Sequence, residues 1–461
     1  MELVANNTIK EICEALVISD SKLAQVRDLL HQEIEKGLCK ETNPEATVKC
    51  FPSYVRHLPN RKEAGKFLAL DLGGTNFRIL LIELTEEAIE TKIVSKIFAI
   101  PNDIMVGPGS ELFDYIAHCL SEFVHEYNVQ HEKLPLGFTF SFPLRQEGLS
   151  KGVLVKWAKG FTCSGVVGED IVRLLQEAVE RKGDFEVDIV AILNDTTGTL
   201  MSCSYENPQC RIAIIVGTGT NACYVEDLDK VEMWDGDCRE PRQVLINTEW
   251  GAFGEDGSLD FILTEYDREL DQNSLDVGHH IFGKMISGMY IGEIAGLVLR
   301  RLCREGLLFN GKGSEKFYER GSFDTKYLSE IEEEESGVIS NCQKILDELC
   351  IPEYTEEDCS NVRYVCELVS RRSAALVSAG VACLLNRVKE KHVVVAMDGS
   401  VYRLHPAFHT VMVEGIAKLI DPDLEFELVF SKDGGGKGAA LVAAVTARIS
   451  DENDIDEHVS A

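Results

Sequence analysis

The chain has 461 residues, 77 acidic against 46 basic, giving a formal net charge of −31, with 45% hydrophobic residues, 27% charged residues and 15 cysteines. This composition describes a folded globular protein with chain enough for two or three lobes, and it excludes wholesale disorder. The carboxylate excess repels phosphodiester backbones and argues against nucleic acid as a partner, while local cationic sites for small phosphates remain compatible with it.

The sequence opens Met-Glu-Leu-Val-Ala-Asn-Asn, without the basic start and apolar stretch of a signal peptide. Its cysteine number is odd, and the closest pairs, Cys203 with Cys210 and Cys359 with Cys366, are seven residues apart, so no Cys-x-x-Cys occurs. No uninterrupted apolar run reaches the roughly eighteen residues of a spanning helix. The expectation is a cytoplasmic (cytosol) protein with reduced thiols and no membrane insertion.

Residues 8 to 37 carry apolar positions at helical spacing among many charges, which predicts one or two surface helices forming an N-terminal brace. Phe67 to Leu84 then reads as two apolar runs around a Gly73-Gly74 corner, a strand folding back on a strand. A helix is predicted from Ser110, with Leu112, Phe113, Ile116, Leu120 and Phe123 on one face, and another from about Gly168 to Arg181. Leu136 to Phe142 alternates like a strand, and Asp188 to Leu193 is a short apolar run ending at Asn194-Asp195.

The strand-corner-strand plan recurs at Arg211 to Glu226, which predicts an internal duplication of plan without duplication of sequence. A helix-rich stretch from about 284 to 390 follows. After it come the strand His392 to Met397, running into Asp398-Gly399-Ser400, and a glycine-rich segment before an Ala-rich C-terminal helix. Strands alternating with helices imply an α/β architecture. The acidic clusters Glu332 to Glu335 and Asp451 to Glu457 are expected as an exposed loop and a frayed tail.

Several motifs fail on context. Gly217 to Ala222 nearly matches a dinucleotide fingerprint, but Cys223-Tyr224-Val225 reads as a returning strand where a helix is required. Gly306 to Lys312 has P-loop spacing, yet Gly313 occupies the Mg²⁺-binding Ser/Thr position and no apolar strand precedes it. His125-Glu126 lacks a second zincin His, and His405 with His409 has Pro406 between and no third ligand nearby.

The surviving constellation is built on corners and strand ends. Gly73-Gly74 lets backbone N–H groups approach phosphate oxygens between Asp71 and Arg78, although an ordinary hairpin with a charged rim has the same pattern. Gly217-Thr218-Gly219-Thr220, Asp398-Gly399-Ser400 and Gly434-Gly435-Gly436 add further phosphate or nucleoside cradles. Asp195 stands where an α/β sheet places catalytic groups, as a general base or as the cap of the next helix.

Asp71-Leu-Gly-Gly-Thr-Asn-Phe-Arg78, Ser141-Phe-Pro143, Lys159-Gly-Phe161, Asn194-Asp195-Thr196, Gly217 to Asn221, Glu249 to Gly254, Lys284 to Tyr290 and Asp398-Gly399 occur in that order. This series resembles the eukaryotic hexokinase family, in the single-unit, invertebrate-like form whose mass is near the 51.2 kDa of this chain. The resemblance covers residues 15 to 448.

It implies an α/β, actin-like ATPase (ribonuclease H-like) fold: two domains on mixed five-stranded sheets with a deep interdomain cleft. Residues 1–66 would be a helical segment of the large domain, 67–198 the small domain, rejoined by a C-terminal helix 438–450, 199–437 the large domain and 451–461 an acidic tail. The implied activity is transfer of a phosphoryl group from MgATP to the C6 hydroxyl of glucose, mannose or fructose, by a monomer.

Carried over by motif, Asp195 would accept the hydroxyl proton, with Arg78 and Lys159 offsetting charge on the transferring group. Ser141, Lys159, Asn194, Asp195, Asn221 and Glu249 would bind the sugar. Asp71 would hold Mg²⁺ through water. Gly73, Gly74, Thr75, Asn76, Arg78, Gly217, Thr218, Gly219, Thr325, Lys326, Ser329, Gly399, Ser400, Gly434, Gly435 and Gly436 would line the nucleotide side.

Two sugar-site positions depart from the family: Ala158 stands where a Thr is expected, and Gly283 where a Glu is expected near the anomeric end. A hydrogen bond to a charged group is worth about 1.5–3 kcal/mol, so the second loss weakens sugar binding roughly tenfold to a hundredfold. The same losses motivate an alternative, a hexokinase-like sugar sensor without turnover. A chaperone-like ATPase has no use for the polar ring of Ser141, Asn221 and Glu249.

Overall fold

The computed structural model describes residues 7–85, 92–157, 159–335, 337–431 and 434–460. Its strands are β1 (Phe51–Pro52), β2 (Gly65–Leu72), β3 (Asn76–Leu84), β4 (Lys92–Ala99), β5 (Leu134–Phe140), β6 (Leu144–Gly148) and β7 (Lys151–Leu154). They continue as β8 (Val187–Leu193), β9 (Cys210–Val216), β10 (Thr220–Asp227), β11 (Gln243–Asn247), β12 (His392–Asp398) and β13 (Glu425–Phe430). One sheet has the order β4-β3-β2-β5-β8 and the other β1-β11-β10-β9-β12-β13, with β6 and β7 forming a separate ribbon.

Without β1, both sheets read third, second, first, fourth, fifth. Each has two antiparallel pairs on one side and two parallel pairs on the other. The duplicated plan expected from the two glycine corners is therefore a duplication of topology. The expectation of five strands in each sheet fails for the large one, where Phe51–Pro52 pairs with Ile246 and Asn247 as a sixth. A two-residue edge strand containing a proline has no alternation to read and cannot donate from Pro52.

Helices pack where apolar periodicity places them. Gly109–Glu126 buries Leu112, Phe113, Ile116, Leu120 and Phe123 against the small sheet. Ile171–Lys182 starts at its Asp170 cap, whose side chain accepts from Val172 N, and stops at Gly183 with φ 70°. In the large lobe, Glu356–Val388 is started by a reciprocal Thr355/Asp358 capping box. This helix is long and apolar enough by composition to cross a membrane, but its apolar window is mostly buried in the core of the lobe. The N-terminal helix Asp20–Leu38 contributes Val26, Leu30 and Ile34 to the same core.

Two helices lie between the sheets. Asp195–Glu206 and Gly434–Ser460 share one core with Ala69, Leu80 and Ile82 of the small sheet and Ala213, Leu245 and Ala396 of the large one. They approach through glycines: a Cβ at Gly438 would lie 1.9 Å from the Gly198 carbonyl oxygen, and one at Gly434 would lie 2.5 Å from Thr199 Oγ1. Asp195 thus begins a helix anchored to both lobes.

The acidic clusters behave differently from expectation. Glu332 lies in the helix Thr325–Glu333 with a buried side chain, because His405 Nε2 is 3.1 Å away and Ser370 Oγ donates to it at 2.7 Å. The tail from Asp451 continues the Gly434 helix to Ser460, so that helix exceeds the span 438–450 at both ends. His405 and His409 are not a metal pair, since the His409 ring is held by Tyr402 OH at 2.6 Å.

Candidate active site

β2, β5 and β8 run parallel, and their carboxyl ends release Asp71, Ser141 and Asn194-Asp195 on the same edge of the small sheet. Register places Asp71 directly opposite Arg78 across the β2–β3 hairpin, with 3.6 Å between carboxylate and guanidinium. Burial pushes the Asp71 carboxyl up to about 6; Arg78 and Lys159 act against the shift, while Asp195 and Asp398 reinforce it. Asp71, Arg78, Lys159, Asp195 and Asp398 therefore occupy one electrostatic neighbourhood.

The hairpin corner between them is open. A Cβ at Gly74 would meet nothing within 4 Å, one at Gly73 would come within 3.9 Å of Ser141 Oγ, and the exposed Asn76 Nδ2 is 3.5 Å from Thr75 Oγ1. The Gly434–Gly436 segment closes on the same pair. A Cβ at Gly435 would be 3.5 Å from the Asp71 carboxylate and one at Gly436 would be 3.1 Å from Arg78, while Thr139 Oγ1 donates to the Gly435 carbonyl at 2.9 Å.

Asn194, and not Asp195, is the helix cap: its Oδ1 accepts from Thr196 N at 3.0 Å and from Thr196 Oγ1 at 2.6 Å. Asp195 is the first helical residue and accepts from Thr196 N at 2.9 Å. An anionic side chain is well placed at that end of a helix. Sequence spacing left capping and base roles open for Asp195; the division of labour with Asn194 resolves the capping half.

A chain of amides faces Asp195 from the large sheet. Asn221 Nδ2 donates to Asn247 Oδ1 at 2.7 Å, and Asn247 Nδ2 donates to Glu249 Oε1 at 2.8 Å. Asn221 Nδ2 also stands 3.4 Å from both Asn194 Oδ1 and Glu249 Oε1. Glu249 has φ 55°, a left-handed conformation uncommon for a residue with a Cβ, at the start of the turn Trp250–Ala252. Burial raises the Glu249 carboxyl pKa, and the Asn247 hydrogen bond is the largest opposing effect. Lys159, also left-handed at φ 57°, donates from Nζ to the Ser141 carbonyl at 2.9 Å.

Asn247 was not among the sequence-derived site residues. The available signal is the polar pair Asn247-Thr248 ending the apolar run Val244-Leu245-Ile246 just before Glu249. Amides at a strand end are common, so only the Asn221–Asn247–Glu249 contacts separate this one from a loop residue.

At the segments expected to line the nucleotide, the β9–β10 corner packs against the turn after β12. Gly399 has φ 106°, and a Cβ there would lie 2.3 Å from the Val216 carbonyl group. Gly288 N donates to Gly217 O at 2.7 Å, Met289 N donates to Thr218 O at 3.1 Å, and Thr325 Oγ1 donates to Gly288 O at 2.6 Å. Thr218, Thr325 and Ser400 are thereby set on adjoining segments, while a Cβ at Gly219 would meet nothing within 4 Å. Lys326 is exposed beside Tyr327, and Ser329 lies one turn further along the same helix.

Gly283 lies in the helix Ile281–Ile286 beside the Glu249 turn. A Cβ there would make ordinary contacts, 3.6 Å from Gly251 Cα and 3.7 Å from His280 Cβ, so packing does not require glycine. His280, at φ 53°, has its backbone N–H fixed by Glu255 at 2.7 Å, and burial lowers the pKa of its imidazole, with Lys156 acting in the same direction. Lys284 is turned away into a buried pair with Asp271 at 2.5 Å. Ala158 lies outside the described residues.

Among the described residues, no cluster of three or more His, Cys, Asp or Glu forms a metal cage. Asp71 nevertheless suits Mg²⁺, a cation that keeps several waters and takes one or two carboxylates together with substrate phosphates.

Hexokinase family models match residues 8–205 and 211–445. Human Hexokinase-2 is 45% identical over 443 residues, covering 95% of this chain and 48% of that protein. Mouse Hexokinase HKDC1 is 44% identical, covering 96% of this chain and 48% of its own length. The chain thus spans about half the length of these curated relatives. Among solved structures, hexokinase from Schistosoma mansoni complexed with glucose is 41% identical at a TM-score of 0.88, covering 95% of this chain and 98% of that one. A second hexokinase crystal structure is 30% identical at a TM-score of 0.82, covering 95% of this chain and 100% of the other.

Proposed function

The chain belongs to the hexokinase family, and on that premise we propose that it transfers the γ-phosphoryl group of MgATP to the C6 hydroxyl of a hexose. The carrying observation is the opposition of Asp195, at the mouth of a helix shared by both lobes, to the amide-carboxylate chain Asn221–Asn247–Glu249. A polyol needs donors and acceptors around its ring and one carboxylate at the reacting hydroxyl.

In this reading Ser141, Asn194, Asn221 and Glu249 hold the sugar hydroxyls, and Asp195 accepts the C6 hydroxyl proton as that oxygen attacks phosphorus in line. Lys159 and Arg78 offset the charge on the transferring phosphoryl group, the dominant source of rate in this chemistry. Mg²⁺ held through Asp71 would neutralise phosphate charge. Thr218, Thr325, Lys326, Ser329, Ser400 and the glycines at 434–436 take the nucleotide side. Closure of the lobes around the sugar keeps water from taking the phosphoryl group.

Gly283 favours a kinase with weak glucose affinity or a different hexose preference over a close functional copy of its relatives. The same reading puts the enzyme in the cytosol as a monomer. Product analysis tests the central step. Phosphate on C6, located by NMR after incubation with MgATP and hexose, is expected, and ATP hydrolysis without a sugar phosphate overturns the proposal.

A further inference from the structure

The two segments that would wall the nucleotide side are short. One is the helix Thr325–Glu333, whose first residue ties to the Gly288 loop through Thr325 Oγ1. The other is the helix Ser400–Leu404, which begins after Gly399 without a side-chain cap. Each is joined to the other at its far end. Glu332, about 10 Å along the first helix from Thr325 at 1.5 Å per residue, meets His405, the C-cap of the second.

The contact is almost wholly sealed. His405 Nε2 lies 3.1 Å from Glu332 Oε1, and the two side chains are 2% and 5% exposed. His405 Nδ1 accepts from Ala407 N at 3.3 Å, which leaves the ring proton to Nε2, the nitrogen nearest the carboxylate, where the contact is a close approach and not a formed hydrogen bond. Ser370 Oγ, from the central Glu356–Val388 helix, donates to the same Oε1 at 2.7 Å. One turn along that helix, the Cys366 thiol is influenced electrostatically by Glu332. Two residues beyond Ser400, Tyr402 OH lies 2.6 Å from His409 Nδ1, so the short helix is tied at Tyr402 as well as at its His405 cap.

A buried carboxylate met by an imidazole and a hydroxyl adds little net stability, because its desolvation offsets the attraction; what the contact can supply is a fixed geometry. We propose that the His405–Glu332 pair is a positioning device. It locks the helix bearing Thr325, Lys326 and Ser329 against the helix bearing Ser400, and so sets affinity for the nucleotide without touching it. The inference rests on the proposed placement of nucleotide at these segments.

The test compares Glu332→Gln, His405→Gln and the milder Ser370→Ala with the parent protein. It measures the Kd for MgADP by calorimetry, the KM for MgATP, the KM for glucose and the Tm. The expected result for the first two variants is a nucleotide Kd and KM raised about five- to tenfold with the glucose KM within about twofold and kcat less affected. Ser370→Ala should give a smaller rise of the same kind, and it carries the test if either other variant fails to fold. Folded variants with unchanged MgADP affinity, or with both KM values rising together, overturn the device while leaving the kinase reading intact. A parent protein that binds MgADP tightly and is weakened by these changes, yet phosphorylates no hexose, upholds the device and rejects the kinase reading. A parent protein that does not bind MgADP overturns both.

Discussion

Asp71 and Arg78 are ladder partners across the β2–β3 hairpin, their charged groups 3.6 Å apart, and both face the glycine start of the C-terminal helix. In the proposed reading, this half-buried carboxylate would exchange its imperfect contact with Arg78 for a hydrated cation. Its raised pKa is the mark of the desolvation cost that such an arrangement carries.

Because the folded-state pKa of Asp71 is raised to about 6, the free protein binds more protons at this site than the unfolded chain does between that value and the ordinary carboxylate range. Stability from this group is therefore greatest at low pH and is lost as pH rises through about 6. Asp71→Asn should raise the midpoint of urea unfolding at neutral pH and abolish turnover. In the parent protein, Mg²⁺-dependent binding of ATP should weaken as pH falls below about 6, read by calorimetry across a pH series.

At Gly283, the Cβ of an added side chain meets only ordinary van der Waals contacts. Gly283→Glu should therefore be tolerated and should lower the glucose KM roughly tenfold to a hundredfold, with little change in kcat. A parent protein whose glucose KM already matches that of its glucose-binding relatives would contradict this, as would loss of activity in the variant.

Asn247 donates to Glu249 and accepts from Asn221, so it orders the carboxylate proposed to bind the sugar and has no part in the proposed proton transfer. Asn247→Ala should raise the hexose KM by about tenfold, equivalent to about 1.4 kcal/mol, while the MgATP KM stays constant. Asn247→Asp should be worse, since it sets a like charge beside Glu249.

The crossing of the two central helices predicts a severe packing defect. In Gly438→Ala the new Cβ would lie 1.9 Å from the Gly198 carbonyl oxygen, backbone that can move only by displacing the Asp195 helix. A destabilisation of about 3 kcal/mol is expected in denaturant titration, with turnover reduced even where the variant remains folded.

The glycine corners of both hairpins and the strand ends at Asp71, Ser141 and Asn194 were legible in the sequence because alternation and turn chemistry are local. The resemblance then supplied the order of the site residues. β1 was not legible, since two residues including Pro52 have no period and pair only because β11 presents a free edge. Glu332 read as solvated charge because its partners, His405 and Ser370, are brought to it by tertiary packing, 73 and 38 residues away in sequence. Asn247 is the same case within the site: its role is defined by Asn221, on the neighbouring strand β10, as much as by Glu249.

The most direct test is a coupled assay of the purified protein with MgATP, titrating glucose, mannose, fructose and N-acetylglucosamine to high concentration beside the Asp195→Ala variant. Hexose-dependent turnover that Asp195→Ala reduces by several orders of magnitude is predicted, with the KM ranking revealing what Gly283 does to specificity. Turnover on no sugar despite intact sugar binding, or turnover that survives loss of Asp195, would contradict the account.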